Sequence, residues 1–378
     1  MTVDAFLAPG HAPFAARLAA FAAREIAPAP EPVDDAAARG DARRWLTTLG
    51  AGGWLGCIAD QDLRALCLVR EAVAGASPLA DAVVALQALG GTPFVLAGRD
   101  DQRARWLTPI VEGRAMAAFA MTEPEAGSDV AAMQTTATRE GDGWRLDGEK
   151  HLISNAGIAD VYVVFAVTTP GAGGRGITAF VVPADTPGLT FAGAQVLAAP
   201  HPLGRLRFEA CRVPADAVLG EVDRGFKLGM MTLDRIRPSV GAAACGMAAR
   251  ALDEAVRHTT TRRQFGQPLS DFQLVREKLG RMATELDAAR LLVYRAAWLK
   301  DGGAERITVA AAMAKSFATE AAQRIVDDAV QLVGGAGVLV GHPVERLYRS
   351  VRALRIYEGA TDIQHLIIAG ALIDGVHA

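Results

Sequence analysis

The feature that most limits the fold is a change of texture in the middle of the chain. Between Trp144 and Val213 short β-like runs alternate with turn signals. The runs are Trp144-Arg145-Leu146, Val161 to Val167, Ile177 to Val182, Leu189 to Phe191 and Leu206-Arg207-Phe208. Asp142-Gly143, Asp147-Gly148, Pro170-Gly171, Gly173-Gly174 and Pro187-Gly188 punctuate them, and such pairs supply the backbone angles that tight turns need. On either side, apolar residues recur at helical spacing instead. Residues 11–27 place Phe14, Leu18, Phe21 and Ile26 near one face, and the stretch Pro28 to Pro32 ends that segment. Helix-like segments follow near 41–50, 62–75, 79–89 and 100–112, and long ones near 226–260, 271–300, 305–332 and 361–374. A strand period does not settle as a helix, nor a helix period as a strand. The helix–β–helix order therefore predicts a mainly α fold with a central β domain. Its parts are an N-terminal helical domain over 1–114, a middle antiparallel β domain or barrel over 115–224, and a C-terminal helical bundle over 225–378.

A chain of 378 residues is too long for one small core and suggests two or three packed domains. With 51% hydrophobic and 21% charged residues, a large core is expected rather than disorder. The net charge of −3 does not favour a nucleic-acid partner, which wants a concentrated basic face. Cys57, Cys67, Cys211 and Cys245 form no CxxC pair, so buried, reduced thiols are expected. The seven histidines show no metal-ligand spacing, and no metal site is expected. The first residues make a poor signal or transit peptide, and no apolar run reads as long enough to span a bilayer. These features point to the cytoplasm.

Five segments carry chemistry in their composition. Gly334-Gly335-Ala336-Gly337 follows a helical run without βαβ context, so the plain reading is a helix end and glycine turn. The same glycines would also let a backbone approach a phosphate. Met121-Thr122-Glu123-Pro124-Glu125-Ala126-Gly127-Ser128-Asp129 is either a polar loop entering the β domain or a ligand-contacting loop. His151 to Gly157 reads as a strand ending in a turn, with Ser154 as a candidate donor. Arg262-Arg263-Gln264-Phe265-Gly266 is either a solvated interhelical loop or an anion site built on the planar arginine fork. Glu358, in Arg355-Ile356-Tyr357-Glu358-Gly359, either favours the next helix dipole or is a pre-aimed base.

Met121 to Asp129, Arg262-Arg263-Gln264-Phe265-Gly266, Gln331 to Gly337 and Tyr357-Glu358-Gly359, by their order and separations along the chain, resemble the acyl-CoA dehydrogenase family. The resemblance runs from about residue 85 to 372, and more loosely toward the N-terminus. It implies an N-terminal helical domain, a middle β domain and a C-terminal four-helix domain. It also implies FAD, a homotetramer or homodimer, and an acyl thioester substrate carried on CoA or acyl carrier protein. By this likeness Phe119, Met121, Thr122 and Ser128 lie against the flavin, and Ser128 also meets the start of the substrate. Leu152 and Ser154 face the isoalloxazine ring. Arg262, Gln264, Phe265 and Gln273 bind the adenosine diphosphate part with Gln331, Val333, Gly334 and Gly335. Ala360 and Asp362 stand at cofactor positions where Thr and often Gln or Glu are usual. Asp234, Arg237, Tyr357 and Gly359 line the substrate channel.

Family members place the base either in Tyr-Glu-Gly or on the helix that here carries Leu233-Asp234. That helix has Ile236 at the position in question, so the resemblance assigns the base to Glu358. It implies α-proton abstraction by Glu358, β-hydride transfer to flavin N5, a trans-2-enoyl product, and electron transfer to an electron-transferring flavoprotein. Departures from the family pattern bear on the substrate. Leu152 replaces a common Trp, Ser350 a common Asp, and Gly370 a frequent Arg. Ala199 to Gly204 lacks the Arg-x-Ser-x-Thr loop that helps hold CoA, and Trp54 to Asp62 lacks Pro-Glu-x-x-Gly-Gly. The alternatives are a carrier-protein thioester dehydrogenase, an O2-using oxidase on the same fold, or a non-enzymatic flavoprotein.

Overall fold

The computed structural model describes residues Val3–Gly375. The chain falls into two compact units, each assembled from separated stretches. One gathers Glu31–Gln61 and Ala82–Asp234; the other takes, among the described residues, those up to Pro30, Asp62–Asp81 and those from Arg235 to Gly375.

The first unit is built on seven strands: β1 (Ala117–Ala120), β2 (Thr136–Glu140), β3 (Gly143–Ser154), β4 (Val161–Val167), β5 (Ile177–Pro183), β6 (Leu189–Ala194) and β7 (Leu203–Val213). β4 is the pivot. It runs parallel to β1 with Phe119 opposite Val163, and antiparallel to β5 with Val164 opposite Phe180. It also meets β2 in parallel at Thr136 and Val167. β2–β3, β3–β7 and β6–β7 are antiparallel. The sheet is therefore mixed, where the sequence suggested antiparallel pairing throughout. Its parallel members, β1 and β2, gave no strand signal: Ala117-Ala118-Phe119-Ala120 has helix-favouring alanines and only one aromatic.

Side-chain alternation explains the burial. Val161, Val163 and Phe165 join Ile177, Ala179 and Val181 in one apolar cluster. Tyr162, Val164 and Ala166 join Phe180 and Val182 in another. With both faces covered, β4 is a continuous apolar run. Fully burying a side chain such as Phe165 stabilises by about 1.5–3 kcal/mol. Register shifts in β3, between Leu146 and Gly148 and between Lys150 and Ile153, mark irregularities of the kind that bend and twist a strand locally. Gly148 is required at the first bulge: its φ is 147°, and a Cβ there would lie 2.6 Å from Thr135 Oγ1.

The second unit is helical. Its members include His11–Phe21, Leu63–Ala76, the part of Gly225–Thr261 from Arg235, Gln273–Asp301, Thr308–Val333, Pro343–Leu354 and Thr361–Ile373. Small residues set how closely they approach. A Cβ on Gly246 would lie 2.0 Å from the Glu71 carbonyl oxygen, and one on Gly241 would lie 2.7 Å from Val293. Pro343–Leu354 is a helix the sequence reading did not anticipate. Its signals are short but real: Pro343 at the first helical position and Val344, Leu347, Val351 and Leu354 on one buried face.

Pro78–Ala97 corrects a second expectation. It is long and apolar enough to cross a membrane by length and composition, whereas the sequence reading found no such run. Its apolar residues are packed inside protein, 78% of the most apolar window being buried, and Asp81 within it forms an ion pair.

Candidate active site

The helices Pro343–Leu354 and Thr361–Ile373 are joined by a turn in which Glu358 has φ 55° and Gly359 has φ 93°. A non-glycine residue in the left-handed region costs of order 1–3 kcal/mol and persists only where its surroundings over-determine it. Here they do. Arg237 Nε donates to the Glu358 carbonyl oxygen at 3.2 Å. Lys315 Nζ and Gln364 Nε2 both donate to the Gly359 carbonyl oxygen, at 2.7 and 3.0 Å. Glu320 Oε1 accepts from Arg355 Nε at 2.7 Å and from Thr361 Oγ1 at 2.9 Å, closing the base of the turn. Glycine is needed at position 359, where a Cβ would lie 2.4 Å from Gln364 Nε2.

Glu358 as a whole is half-buried, but its Oε2 is sealed from solvent and accepts no hydrogen bond. Burial raises its pKa above the ordinary carboxylate value, opposed by the charges of Arg70, Lys315 and Arg237 and reinforced by Asp81. Arg70 and Asp81 are themselves buried. The guanidinium holds both carboxylate oxygens at 2.9 Å and donates to Ser239 Oγ at 3.1 Å. Burial also lowers the Lys315 pKa to about 8, with Glu358 pulling the other way. Arg237, Tyr357, Glu358 and Gly359 are thus brought together, with Arg237 buried and Tyr357 40% exposed. Asp234 stands one turn before Arg237 on the same helix.

In the strand-rich unit, the His151 N–H donates to the Thr122 carbonyl at 2.9 Å, setting the Met121–Asp129 loop beside the end of β3. Met121 is buried, Thr122 half-buried and Ser128 exposed. Phe119 packs its ring 4.7 Å from that of Phe165. Leu152 is 50% exposed with φ 54°, a strained apolar residue turned to solvent. Its N–H is held by Gln195 Oε1 at 2.8 Å. Ser154 Oγ lies 2.8 Å from His201 Nε2. Burial lowers the His201 pKa to about 4, so the ring is neutral at neutral pH.

In the helical unit, Arg262, Gln264 and Gln273 are exposed, and Phe265 is 93% exposed with its ring edge-on to Phe272. The helix Thr308–Val333 ends at Gly334, φ 71°, as the glycine cluster suggested. Open space surrounds a notional Cβ on Gly334 or Gly335, and Gln331 is exposed. Val333 is buried, so a ligand there would meet its peptide rather than its side chain. Ala360 is half-buried and Asp362 exposed. Guanidinium, amides, an exposed aromatic ring and bare glycine backbone form a donor set suited to a nucleotide diphosphate. A strained, exposed apolar residue such as Leu152, its N–H held by Gln195, suits the flat face of a ring. The residues present therefore fit FAD. Among the described residues no group of three or more His, Cys, Asp or Glu could hold a metal ion.

Sequence reasoning missed Lys150, whose ammonium is wholly buried against Glu123 Oε1 at 2.8 Å and the Met121 carbonyl at 3.1 Å. In the string Gly148-Glu149-Lys150-His151 it looks like any solvent-facing lysine. Lys315, Arg70 and Asp81 were also missed; Lys315 and Asp81 had a signal, a lone charge inside an apolar helical run, whereas Arg70 has Glu71 beside it and reads as part of a charged pair.

Three family models match successive stretches of the chain: acyl-CoA dehydrogenase N-terminal domain over residues 9–114, middle domain over 118–211 and C-terminal domain over 223–373. The chain is 41% identical over 318 residues to the 3-(aryl)acrylate reductase of Clostridium sporogenes, covering 83% of this chain and 84% of that one. The solved structure of butyryl-CoA dehydrogenase from Megasphaera elsdenii superposes with a TM-score of 0.89 at 34% identity, covering 97% of this chain and 99% of that one. The FAD complex of PigA superposes with a TM-score of 0.88 at 27% identity, covering 97% and 98%.

Proposed function

Because the chain belongs to the acyl-CoA dehydrogenase family, and is thereby an oxidoreductase, we propose that it acts on the α,β carbon–carbon bond of an acyl-CoA thioester with Glu358 as the base. FAD is its cofactor. When bound, FAD supplies the two-electron acceptor for the β-hydrogen. Phe119, Met121, Thr122, Ser128, Leu152 and Ser154 would hold the flavin. Arg262, Gln264, Phe265, Gln273, the Gln331–Gly335 turn, Ala360 and Asp362 would hold the remainder. The observation that carries the reading is the sealed, unpartnered Oε2 of Glu358 in an over-determined turn.

The α-hydrogen of a thioester is only weakly acidic, so a carboxylate at its ordinary pKa removes it poorly. Burial makes the Glu358 carboxylate a stronger proton acceptor, and the fixed turn aims it without reorganisation at the moment of reaction. The backbone N–H of Glu358 donates to the thioester carbonyl and stabilises the charge that develops there. Asp234, Arg237, Tyr357 and Gly359 belong to the substrate channel in this reading. We further propose a homotetramer, electron transfer to an electron-transferring flavoprotein, a bacterial cytoplasmic setting, and the domain division 1–114, 115–224 and 225–378.

Anaerobic bleaching of the flavin by a panel of acyl thioesters, as CoA and carrier-protein esters, tests the activity. No bleaching by any member would remove it. Glu358→Gln should retain FAD and lose turnover by about 10²–10⁴-fold, the worth of a positioned base; near-parental turnover would remove Glu358 as the base. A second reading, reduction of the double bond, is favoured by the name of the Clostridium sporogenes relative. Reoxidation of the reduced flavin by 2-enoyl thioesters, faster than its reduction by the saturated esters, would select it.

A further inference from the structure

Lys315 lies in the middle of Val309-Ala310-Ala311-Ala312-Met313-Ala314-Lys315-Ser316-Phe317-Ala318, with Ala311, Ala314 and Ala318 buried around it. It is itself 0% exposed. A buried ammonium is expensive, and a methionine of similar length would pack there without that penalty. Satisfying the Gly359 carbonyl does not explain the lysine, because Gln364 Nε2 already donates to that oxygen at 3.0 Å. What Lys315 adds is a charge at 2.7 Å from the Gly359 carbonyl oxygen, one residue beyond Glu358.

We infer that Lys315 is the positioning residue of the base: its buried ammonium, donating to the Gly359 carbonyl, fixes the left-handed turn that aims Glu358 and adds, with Arg70 and Arg237, to the positive charge facing that carboxylate. This inference rests on Glu358 being the base. The other charges around the pair are differently committed. From Leu63–Ala76, Arg70 is held by both oxygens of Asp81, which sits in Pro78–Ala97. From Gly225–Thr261, Arg237 holds the Glu358 carbonyl. On the helix of Lys315 itself, Glu320 is taken up by Arg355 and Thr361. Burial brings the Lys315 pKa down to about 8, with Glu358 raising it, Arg237 lowering it and Glu320 raising it. The ammonium therefore loses its proton just above neutrality, and the anchoring charge goes with it.

The test is the pH profile of turnover in the FAD-loaded parent and in Lys315→Met, Lys315→Arg and Glu358→Gln. The parent should show an alkaline limb near pH 8. Lys315→Met should keep its flavin, lose about 10–100-fold in kcat through misaiming of the base, and shift its acid limb upward by about one pH unit. Lys315→Arg, with a charge that does not titrate, should hold the acid limb in place and abolish the alkaline one. If Lys315→Met does not fold, the parent and Lys315→Arg profiles decide alone: an unchanged alkaline limb in Lys315→Arg overturns the inference. So do parental kcat and acid limb in Lys315→Met while Glu358→Gln is inert. Full turnover in Glu358→Gln would instead overturn the base assignment, and this inference with it.

Discussion

Arg237 Nε donates to the carbonyl oxygen of Glu358 at 3.2 Å, so the helix Gly225–Thr261 grips the peptide of the very residue proposed as base. The grip acts on the backbone and leaves the carboxylate free to turn over protons. Arginine suits this place because its guanidinium is planar and always charged, whereas lysine offers a rotating point charge.

Arg237→Lys should therefore keep most of the local charge and lose the aim. A misplacement of about 1 Å can cost about 10²-fold, and a fall of about 10–100-fold in kcat is expected with FAD content unchanged. Stopped-flow reduction of the flavin by a substrate ester checks it. Parental reduction rates in Arg237→Lys would show that the Glu358 turn holds its shape without that bond.

The Glu358 carboxylate should lower stability as well as serve chemistry. Its ordinary value is 4.5, and burial raises it in the folded chain. Between 4.5 and the raised value the folded state holds a proton that the unfolded state has released. Stability is therefore lost as pH rises through that window, and the loss is complete above the folded pKa. Glu358→Gln mimics the neutral form at every pH. Its Tm should exceed that of the parent by a margin that widens upward from about pH 4.5 and then levels off. A margin that stays flat across pH would show that the carboxylate is not held in the buried, penalised state.

How much of this could be read in advance follows from what each residue depends on. The glycine turn at Gly334 and the strands from Val161 to Val182 depend on local composition, and both were legible. β1 was not, because Ala117 to Ala120 becomes a strand only by pairing with Val161 to Val164, more than forty residues away. Arg355 to Gly359 stood out as a string. The donors that hold it come from Arg237, Lys315 and Gln364, three different helices, and no spacing in the sequence links them. Asp81 could have been flagged as a charge in an apolar run, yet only the fold shows that it answers Arg70.

Lys150 and Glu123 tie the Thr122 loop to β3 through a pair with no access to solvent. Glu123 also accepts from the backbone N–H groups of Gln134 and Thr135, and these bonds with the Lys150 charge hold its pKa down against burial. Lys150→Met would leave a buried carboxylate with two amides and no cation. Breaking one side of such a pair costs about 3–5 kcal/mol. Urea denaturation should show a lowered midpoint with an unchanged slope. Since Met121 and Thr122 are held by the same cluster, flavin affinity should fall as well. A double variant, Glu123→Gln with Lys150→Met, should recover part of the lost stability, because no unpaired charge is then left behind. Parental stability in Lys150→Met would show that the carboxylate finds another partner.

Arg262 gives the cleanest test of the nucleotide end, because its exposure separates binding from folding. It follows the helix Gly225–Thr261, and the N–H of Leu269 donates to its carbonyl at 2.9 Å, so the loop is shaped by backbone bonds that a side-chain truncation spares. Arg262→Ala should therefore leave the Tm of the flavin-free protein unchanged. A charged hydrogen bond is worth about 1.5–3 kcal/mol, and its loss should raise the Kd for FAD by about 10–100-fold. Fluorescence titration of the flavin-free protein reads this directly, and kcat at saturating FAD should stay near the parental value. Unchanged FAD affinity would take Arg262 out of the site, and a lowered Tm in the flavin-free protein would assign it to the fold instead.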